Sequence, residues 1–196
     1  MIGPNKPIDT NKYYVVCVNS LGSCFGSTSP ASINKASDEI YGLTFPELSI
    51  EDIAKSGHAV LQTLGIDHAH TVMGPSMGGM TALAYALLFP NSLSNLIVIS
   101  AAARALPFTI SIRSLQRELI RSDPLWNNGI YKKDSAPLNG MKLARKLGLM
   151  SYRAANEWRE RFNRARLPKS ADKQMFDIEF EVENYLNHNS EKFVSM

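Results

Sequence analysis

TVMGPSMGGMTALAYALLFP, residues 71–90, reads as a buried strand, a sharp turn holding one serine, and an apolar helix. Within it, Gly74-Pro75-Ser76-Met77-Gly78 fits the pattern G-x-S-x-G. The pattern alone recurs by chance, but between a strand and a helix it describes a nucleophile elbow. In so tight a turn a side chain at Gly74 or Gly78 is expected to collide with neighbouring backbone. Gly79 is expected to extend the close packing of helix on strand. Ser76 is then the candidate nucleophile, held in a strained conformation with its hydroxyl exposed. The backbone N–H of Met77, at the helix start, is the candidate oxyanion donor. The competing reading is a serine that merely caps the helix.

The surroundings have the periodicity of an open parallel sheet. YYVVCVNS, Tyr13 to Ser20, is β-rich and nearly all apolar, which suits a strand covered on both faces and puts Cys17 in the core. A Gly/Ser-rich loop, Leu21 to Pro30, follows. A helix is expected from about Ser49 to Leu64, with Ser49 as N-cap, Asp52 in the capping-box position and Gly65 as stop. Its expected buried face is Ile50, Ile53, Ala54, Val60, Leu61 and Leu64. The elbow strand near Thr71 to Met73, the helix Met77 to Phe89 and a strand LIVIS, Leu96 to Ser100, complete a strand–helix alternation. After about Ala103 helical patterns dominate: Ile110 to Arg121, Leu138 to Leu147, Ser151 to Arg164 and Asp172 to Leu186. Turns such as SDPLWNNG, Ser122 to Gly129, separate them.

Bulk properties narrow the function classes. The 196 residues are 44% hydrophobic, 20% charged and 9% aromatic, with a net charge of +3. That charge is too small to argue for nucleic acid. No apolar run reaches the length of about 18 residues that spans a membrane. The N-terminus lacks the apolar stretch of a signal peptide. Two cysteines, Cys17 and Cys24, imply no disulfide framework. A cytoplasmic protein with reduced thiols is expected, with no metal site. The basic run Arg153, Arg159, Arg161, Arg164, Arg166 and Lys169 is followed by Asp172, Asp177, Glu179, Glu181 and Glu183. Two such helices are expected to pair with each other or across a dimer rather than bind nucleic acid.

A serine nucleophile needs a histidine base and an acid, which follow the serine in this order of elements. His58, His68 and His70 precede Ser76 and are expected to be surface or packing residues. His188 follows it, after Asp172 and Asp177, at the expected end of an acidic helix. No further core strands lie between Ala103 and Met196 to carry an acid and a base. The expectation is that the partners are absent, and that the chain is the middle of a longer protein cut at both ends. As a fragment it is then expected to be inactive and poorly soluble.

NSLGSCFGSTSPAS, LTFPELSIEDI, GPSMGGMTALAYA and SDPLWNNGIY together resemble the homoserine O-acetyltransferase family, α/β-hydrolase-fold acyltransferases. The family's N-terminal strands, its HxLxG-type oxyanion loop and its C-terminal Asp and His have no match in these residues. The resemblance implies a partial α/β-hydrolase core over 1–103 with the nucleophile elbow, and a helical lid region over 104–196. It also implies ping-pong chemistry, in which Ser76 takes an acyl group from acyl-CoA and passes it to an amino-acid hydroxyl. No permanently bound cofactor is implied, and a homodimer through the lid is.

Arg113, in TISIRSLQREL, stands where acetyltransferases of the family carry Asn and succinyl-using relatives carry Arg. A guanidinium can pair with the free carboxylate of a succinyl group; an acetyl group has none. Arg145, in GMKLARKLG, matches a family arginine that binds the acceptor amino acid. The plain alternative for both is a solvated helix arginine. KLGLMSYRAANEWRERFNRARL and GPSMGG resemble the serine O-succinyltransferase branch. The implied reaction is succinyl-CoA to L-serine, in cysteine or methionine biosynthesis. Acetyl-CoA to L-homoserine is the alternative, and a serine esterase or an inactive remnant are readings of another class.

Overall fold

The computed structural model describes residues 1–168 and 174–195. It forms two compact units, Met1–Arg104 and Ala105–Met196. In the first unit, Ile2–Gly3 (β1) pairs in parallel with Ile8–Asp9 (β2), and Ile33–Asn34 (β3) pairs antiparallel with Glu39–Ile40 (β4). Helix α1 covers Ile50–Thr63, strand β5 Ala69–Pro75, helix α2 Met77–Leu88 and strand β6 Leu93–Ile99. The second unit holds α3 (Pro107–Arg121), α4 (Leu138–Met150), α5 (Ala155–Phe162) and α6 (Glu181–Val194).

β5 and β6 are parallel, in register from Ala69 opposite Leu93 to Pro75 opposite Ile99. Parallel strands need a crossover, and α2 supplies it. Helix α1 packs on α2. Its start is a capping box: Ser49 Oγ accepts from the Asp52 N–H at 3.1 Å, and Asp52 Oδ2 accepts from the Ser49 N–H at 3.0 Å. Those Ser49 hydrogen bonds, the backbone one foremost, hold the Asp52 carboxyl below the usual carboxylate range. Its end is a Schellman turn, with Gly65 at φ +71° and Ile66 N–H bonded to Leu61 O at 2.9 Å. The core between α1, α2 and the sheet is Ala54, Ala84 and Tyr85, flanked by Ile50, Leu61, Val72, Phe89 and Leu93. Two alanines let the helix axes come close, and Tyr85 fills the remaining depth. Val60 and Leu64, expected on the buried face, are exposed.

Tyr13–Ser20 is not a strand. Its side chains favour β structure, but a strand exists only as a member of a ladder, and among the described residues none pairs with it. Tyr14 is therefore 79% exposed, and Cys17, expected in the core, is exposed too.

In the second unit α3 packs on α4, and α4 on α6. Gly140, Ala144 and Gly148 are spaced four apart, form one ridge of α4 and are all buried. A Cβ on Gly140 would lie 2.5 Å from Leu119 O and 2.8 Å from Ile120 Cα, so the α3–α4 approach requires glycine there. Asp123 fastens the same corner. Its Oδ1 accepts from the Leu125 N–H at 2.9 Å and its Oδ2 from the Gly140 N–H at 2.8 Å. These donors, Gly140 foremost, lower the Asp123 pKa. The expected turn over Ser122–Gly129 is thus a capped 3₁₀ turn, Pro124–Gly129, closed by left-handed Asn127 and Asn128.

Helix boundaries shift from expectation. α4 runs on to Met150, with Gly148 inside it rather than ending it. α5 stops at Phe162 because Asn163 turns left-handed at φ 45°. α6 begins only at Glu181, where Glu183 Oε2 reaches back to the N–H groups of Glu179 and Phe180 at 2.7 and 2.8 Å. An antiparallel bridge joins Arg166 to Phe180 before it. Lys169 and Asp172 lie outside the described residues. No ion pair joins α5 to α6 among the described residues; Arg153 pairs with Glu157 along its own chain segment. Arg161 instead lies over the Tyr185 ring at 4.9 Å and Arg166 over Phe180 at 5.4 Å. Trp158, Phe162 and Tyr185 pack ring to ring between α5 and α6. Among the described residues the contact between α5 and α6 is aromatic, and Glu183 serves the α6 cap.

Replacing Gly140 by Ala is expected to cost about 1–3 kcal/mol of stability, since backbone has to move to admit the methyl group. The Asp123 carboxyl titrates lower folded than unfolded, so its contribution is complete above about pH 4 and fades as pH falls through the folded value. Urea unfolding from pH 7 to pH 3 should show that loss in the wild type. Asp123→Asn should be weaker at pH 7 and flatter across the range.

Candidate active site

Ser76 stands between β5 and α2 with φ 53° and ψ −122°. A positive φ in a non-glycine residue outside the left-handed helical well costs about 1–3 kcal/mol and persists only where the surroundings over-determine it. Here they do. The Ser76 N–H bonds to Ile99 O, the last residue of β6, at 2.9 Å. The Ser76 carbonyl accepts from the N–H groups of Gly79 and Met80 at 2.9 and 3.2 Å. The side chain makes no capping bond to α2, so the helix-cap reading of this serine falls. The residue is exposed.

The three glycines do different things. A Cβ on Gly74 would lie 2.3 Å from both C and O of Gly78, which no side chain survives. A Cβ on Gly79 would lie 2.7 Å from the Ala101 Cβ and 2.9 Å from Gly74 O, so Gly79 sets the helix against the sheet. A Cβ on Gly78 would meet only Pro75 Cδ, at an ordinary 3.5 Å. The expected collision at Gly78 is therefore misplaced: Gly78 is the backbone that Gly74 must clear. Met77 is the first residue of α2, and its N–H is among those a helix leaves without an intrahelical partner. Met77 also lines a cavity of about 360 Å³ with Leu21, Gly22, Phe45, Leu48 and Ile53, the Gly/Ser-rich loop forming one wall.

The histidines of this unit are engaged elsewhere. His58 stacks on Phe89, rings 3.8 Å apart, with Nδ1 3.1 Å from Tyr85 Oη. His68 bonds Asn91 O and Ser94 Oγ at 3.1 and 2.8 Å. His70 bonds Thr71 Oγ1 at 2.9 Å. His188 belongs to the second unit. It is exposed in the middle of α6, not at a frayed end, and among the described residues no side chain orients its ring.

The second unit has its own cavity, about 310 Å³, lined by Gln116, Ile120, Met141, Arg145, Tyr152 and Phe193 among others. Arg145 lies 4.9 Å over the Phe193 ring, and its Nη1 donates to Tyr152 Oη at 3.4 Å. Its Nε is buried with no hydrogen-bond partner among the described residues. Such a group is costly unless something accepts from it, and a carboxylate is the acceptor that matches a guanidinium edge. Arg113 is exposed on α3, and its Nη1 donates to Gln116 Oε1 at 2.6 Å. Gln116 and Tyr152 are polar groups of this cavity that the sequence reading missed. Their signal, polar residues facing the small-residue ridge of α4, exists only once α3 and α4 are packed. Among the described residues no group of three His, Cys, Asp or Glu is placed to hold a metal ion.

Two substitutions separate the glycine roles. Gly78→Ala should be neutral or slightly stabilising, since it adds helix propensity without a clash. Gly74→Ala should cost about 3 kcal/mol or more, or prevent folding. Thermal unfolding of both variants makes the comparison, and equal losses would contradict the assignment.

The α/β hydrolase fold family matches residues 5–195. The chain is 53% identical over 194 residues to a serine O-succinyltransferase of Litchfieldella anticariensis, covering 98% of this chain and 53% of that protein. It is 54% identical over 195 residues to a serine O-succinyltransferase of Stenotrophomonas maltophilia, covering 99% and 53%. The chain thus spans about half the length of the curated relatives it matches. Among solved structures, a homoserine O-acetyltransferase from Bacillus anthracis superposes with a TM-score of 0.86 at 27% identity, over 98% of this chain and 53% of that one. Esterase E22 superposes with a TM-score of 0.83 at 28% identity, over 98% and 54%. With its elbow serine between a parallel strand and a helix, the chain belongs to the α/β-hydrolase fold family.

Proposed function

We propose that this chain carries the nucleophile of an acyltransferase that moves a succinyl group from succinyl-CoA to the hydroxyl of L-serine. The observation that carries the reading is Ser76, held at a positive φ on a strand-to-helix elbow, in a chain 53% identical to serine O-succinyltransferases. Ser76 Oγ attacks the thioester carbonyl as a base takes its proton. The resulting oxyanion is met by the Met77 N–H. Collapse expels the CoA thiolate, which is protonated, and leaves a succinyl ester on Ser76. The L-serine hydroxyl then attacks this ester, loses its proton, and regenerates Ser76. Arg145 offers its guanidinium to the amino-acid carboxylate, and Arg113 offers a fork to the succinyl carboxylate. Residues 1–103 form the core bearing the elbow and 104–196 the lid, in a cytoplasmic homodimer. L-Homoserine with acetyl-CoA is the second reading, favoured by the likeness to the Bacillus anthracis structure. Arg113 argues against it, because an acetyl group offers that guanidinium no carboxylate.

The assay is CoA release from succinyl-CoA, with and without L-serine, by the whole protein at the length of these relatives. Serine-dependent release is expected, falling about 10⁴-fold or more in Ser76→Ala. Equal release without serine would favour an esterase. In Arg113→Asn the ratio of kcat/KM for succinyl-CoA over acetyl-CoA should fall about 10- to 150-fold, the worth of a charge-assisted fork. An unchanged ratio would make Arg113 a solvated arginine and move the acetyl reading ahead.

A further inference from the structure

We infer that Gln116 is a positioning residue for acyl-donor choice, acting by holding the Arg113 guanidinium in place; the inference rests on the reading of Arg113 above. Arg113 is exposed on α3, and an exposed arginine ordinarily samples many rotamers. Ordering it costs entropy each time a ligand is gripped. The structure removes part of that freedom. Gln116, one turn on, presents Oε1 to Arg113 Nη1 at 2.6 Å. The amide is itself anchored, since its Nε2 donates at 2.7 Å to Ala144 O on α4, 28 residues away. This second bond fixes which way the amide faces. With Nε2 given to a carbonyl, Oε1 must point to Arg113; the flipped amide would set oxygen against oxygen and donor against donor. Gly148 makes the slot, as a Cβ there would lie 2.8 Å from Gln116 Nε2. A glycine inside α4 is otherwise a liability of about 1 kcal/mol. Gln116 also lines the cavity that Arg145 lines. The chain Gly148–Gln116–Arg113 thus ties the Arg113 guanidinium to a residue that lines the Arg145 cavity.

The test compares Arg113→Asn, Gln116→Met, Gln116→Glu and Gly148→Ala in the whole protein. The readout is the ratio of kcat/KM for succinyl-CoA over acetyl-CoA, with thermal unfolding followed in parallel. Gln116→Met keeps the volume and removes the acceptor. Gln116→Glu keeps the size but sets a carboxylate against Arg113, where it competes with the succinyl carboxylate. Gly148→Ala displaces the amide without altering it. Each of the Gln116 and Gly148 variants should lower the ratio by about 3- to 10-fold, the restraint one hydrogen bond supplies. The fall should lie in KM for succinyl-CoA and exceed any change seen with acetyl-CoA. A purely structural glutamine would lower both donors together and leave the ratio unchanged. If Arg113→Asn lowers the ratio and the Gln116 variants do not, the positioning role is wrong and the Arg113 reading stands. If Arg113→Asn itself leaves the ratio unchanged, the Arg113 reading fails and the role of Gln116 with it. Should Gln116→Met not fold, Gln116→Glu and Gly148→Ala decide.

Discussion

The closeness of Gly74 to Gly78 is the constraint on which the first unit depends. Backbone atoms of Gly78 occupy the space where a Cβ of residue 74 would be, 2.3 Å away. Only because that Cβ is missing can β5 turn straight into α2. The turn forces Ser76 to a positive φ, and bonds from Ile99, Gly79 and Met80 hold it there. The helix then starts at Met77 with its N–H unspent beside the serine. Gly79 settles how deep α2 lies on the sheet, through its approach to Ala101. The proposed nucleophile, the proposed oxyanion donor and the helix packing are therefore one decision made by the chain at residues 74–79.

The second unit uses absent side chains in the same way for a different end. Gly140, Ala144 and Gly148 let α4 lie against α3. At one end of the ridge the close approach admits Asp123, which caps a 3₁₀ turn and ties it to α4. At the other it admits the Gln116 amide. Two arginines then meet polar or aromatic partners: the exposed Arg113 meets Gln116, and Arg145 meets Tyr152 and Phe193. A guanidinium so fixed is pre-organised for a carboxylate and gives up less on binding.

Much of this was legible in the sequence, for identifiable reasons. The elbow, the crossover helix and the α1 capping box are local, written within a few residues by glycine, serine and apolar spacing. Tyr13–Ser20 was misread because propensity describes a side chain's fit to a sheet and not whether a partner strand is there. The start of α6 was misread because a run of acidic residues suits a helix, while the actual start is chosen by Glu183 folding back on residues 179 and 180. α4 runs past its expected end at Leu147 with Gly148 inside it, where the missing side chain leaves room for the distant Gln116 amide. Gln116 itself could not be picked out, since its role needs α3 and α4 packed. The four-residue spacing of Gly140, Ala144 and Gly148 was present to be read as a helix-packing ridge.

The central claim is that Ser76 carries the acyl group. Brief exposure of the whole protein to succinyl-CoA without L-serine, followed by acid quench and peptide mass spectrometry, tests it directly. The account predicts one succinyl ester on the peptide containing Ser76, discharged when L-serine is added before the quench. A succinyl group on any other residue, or turnover with no acyl-enzyme at any time, would contradict it.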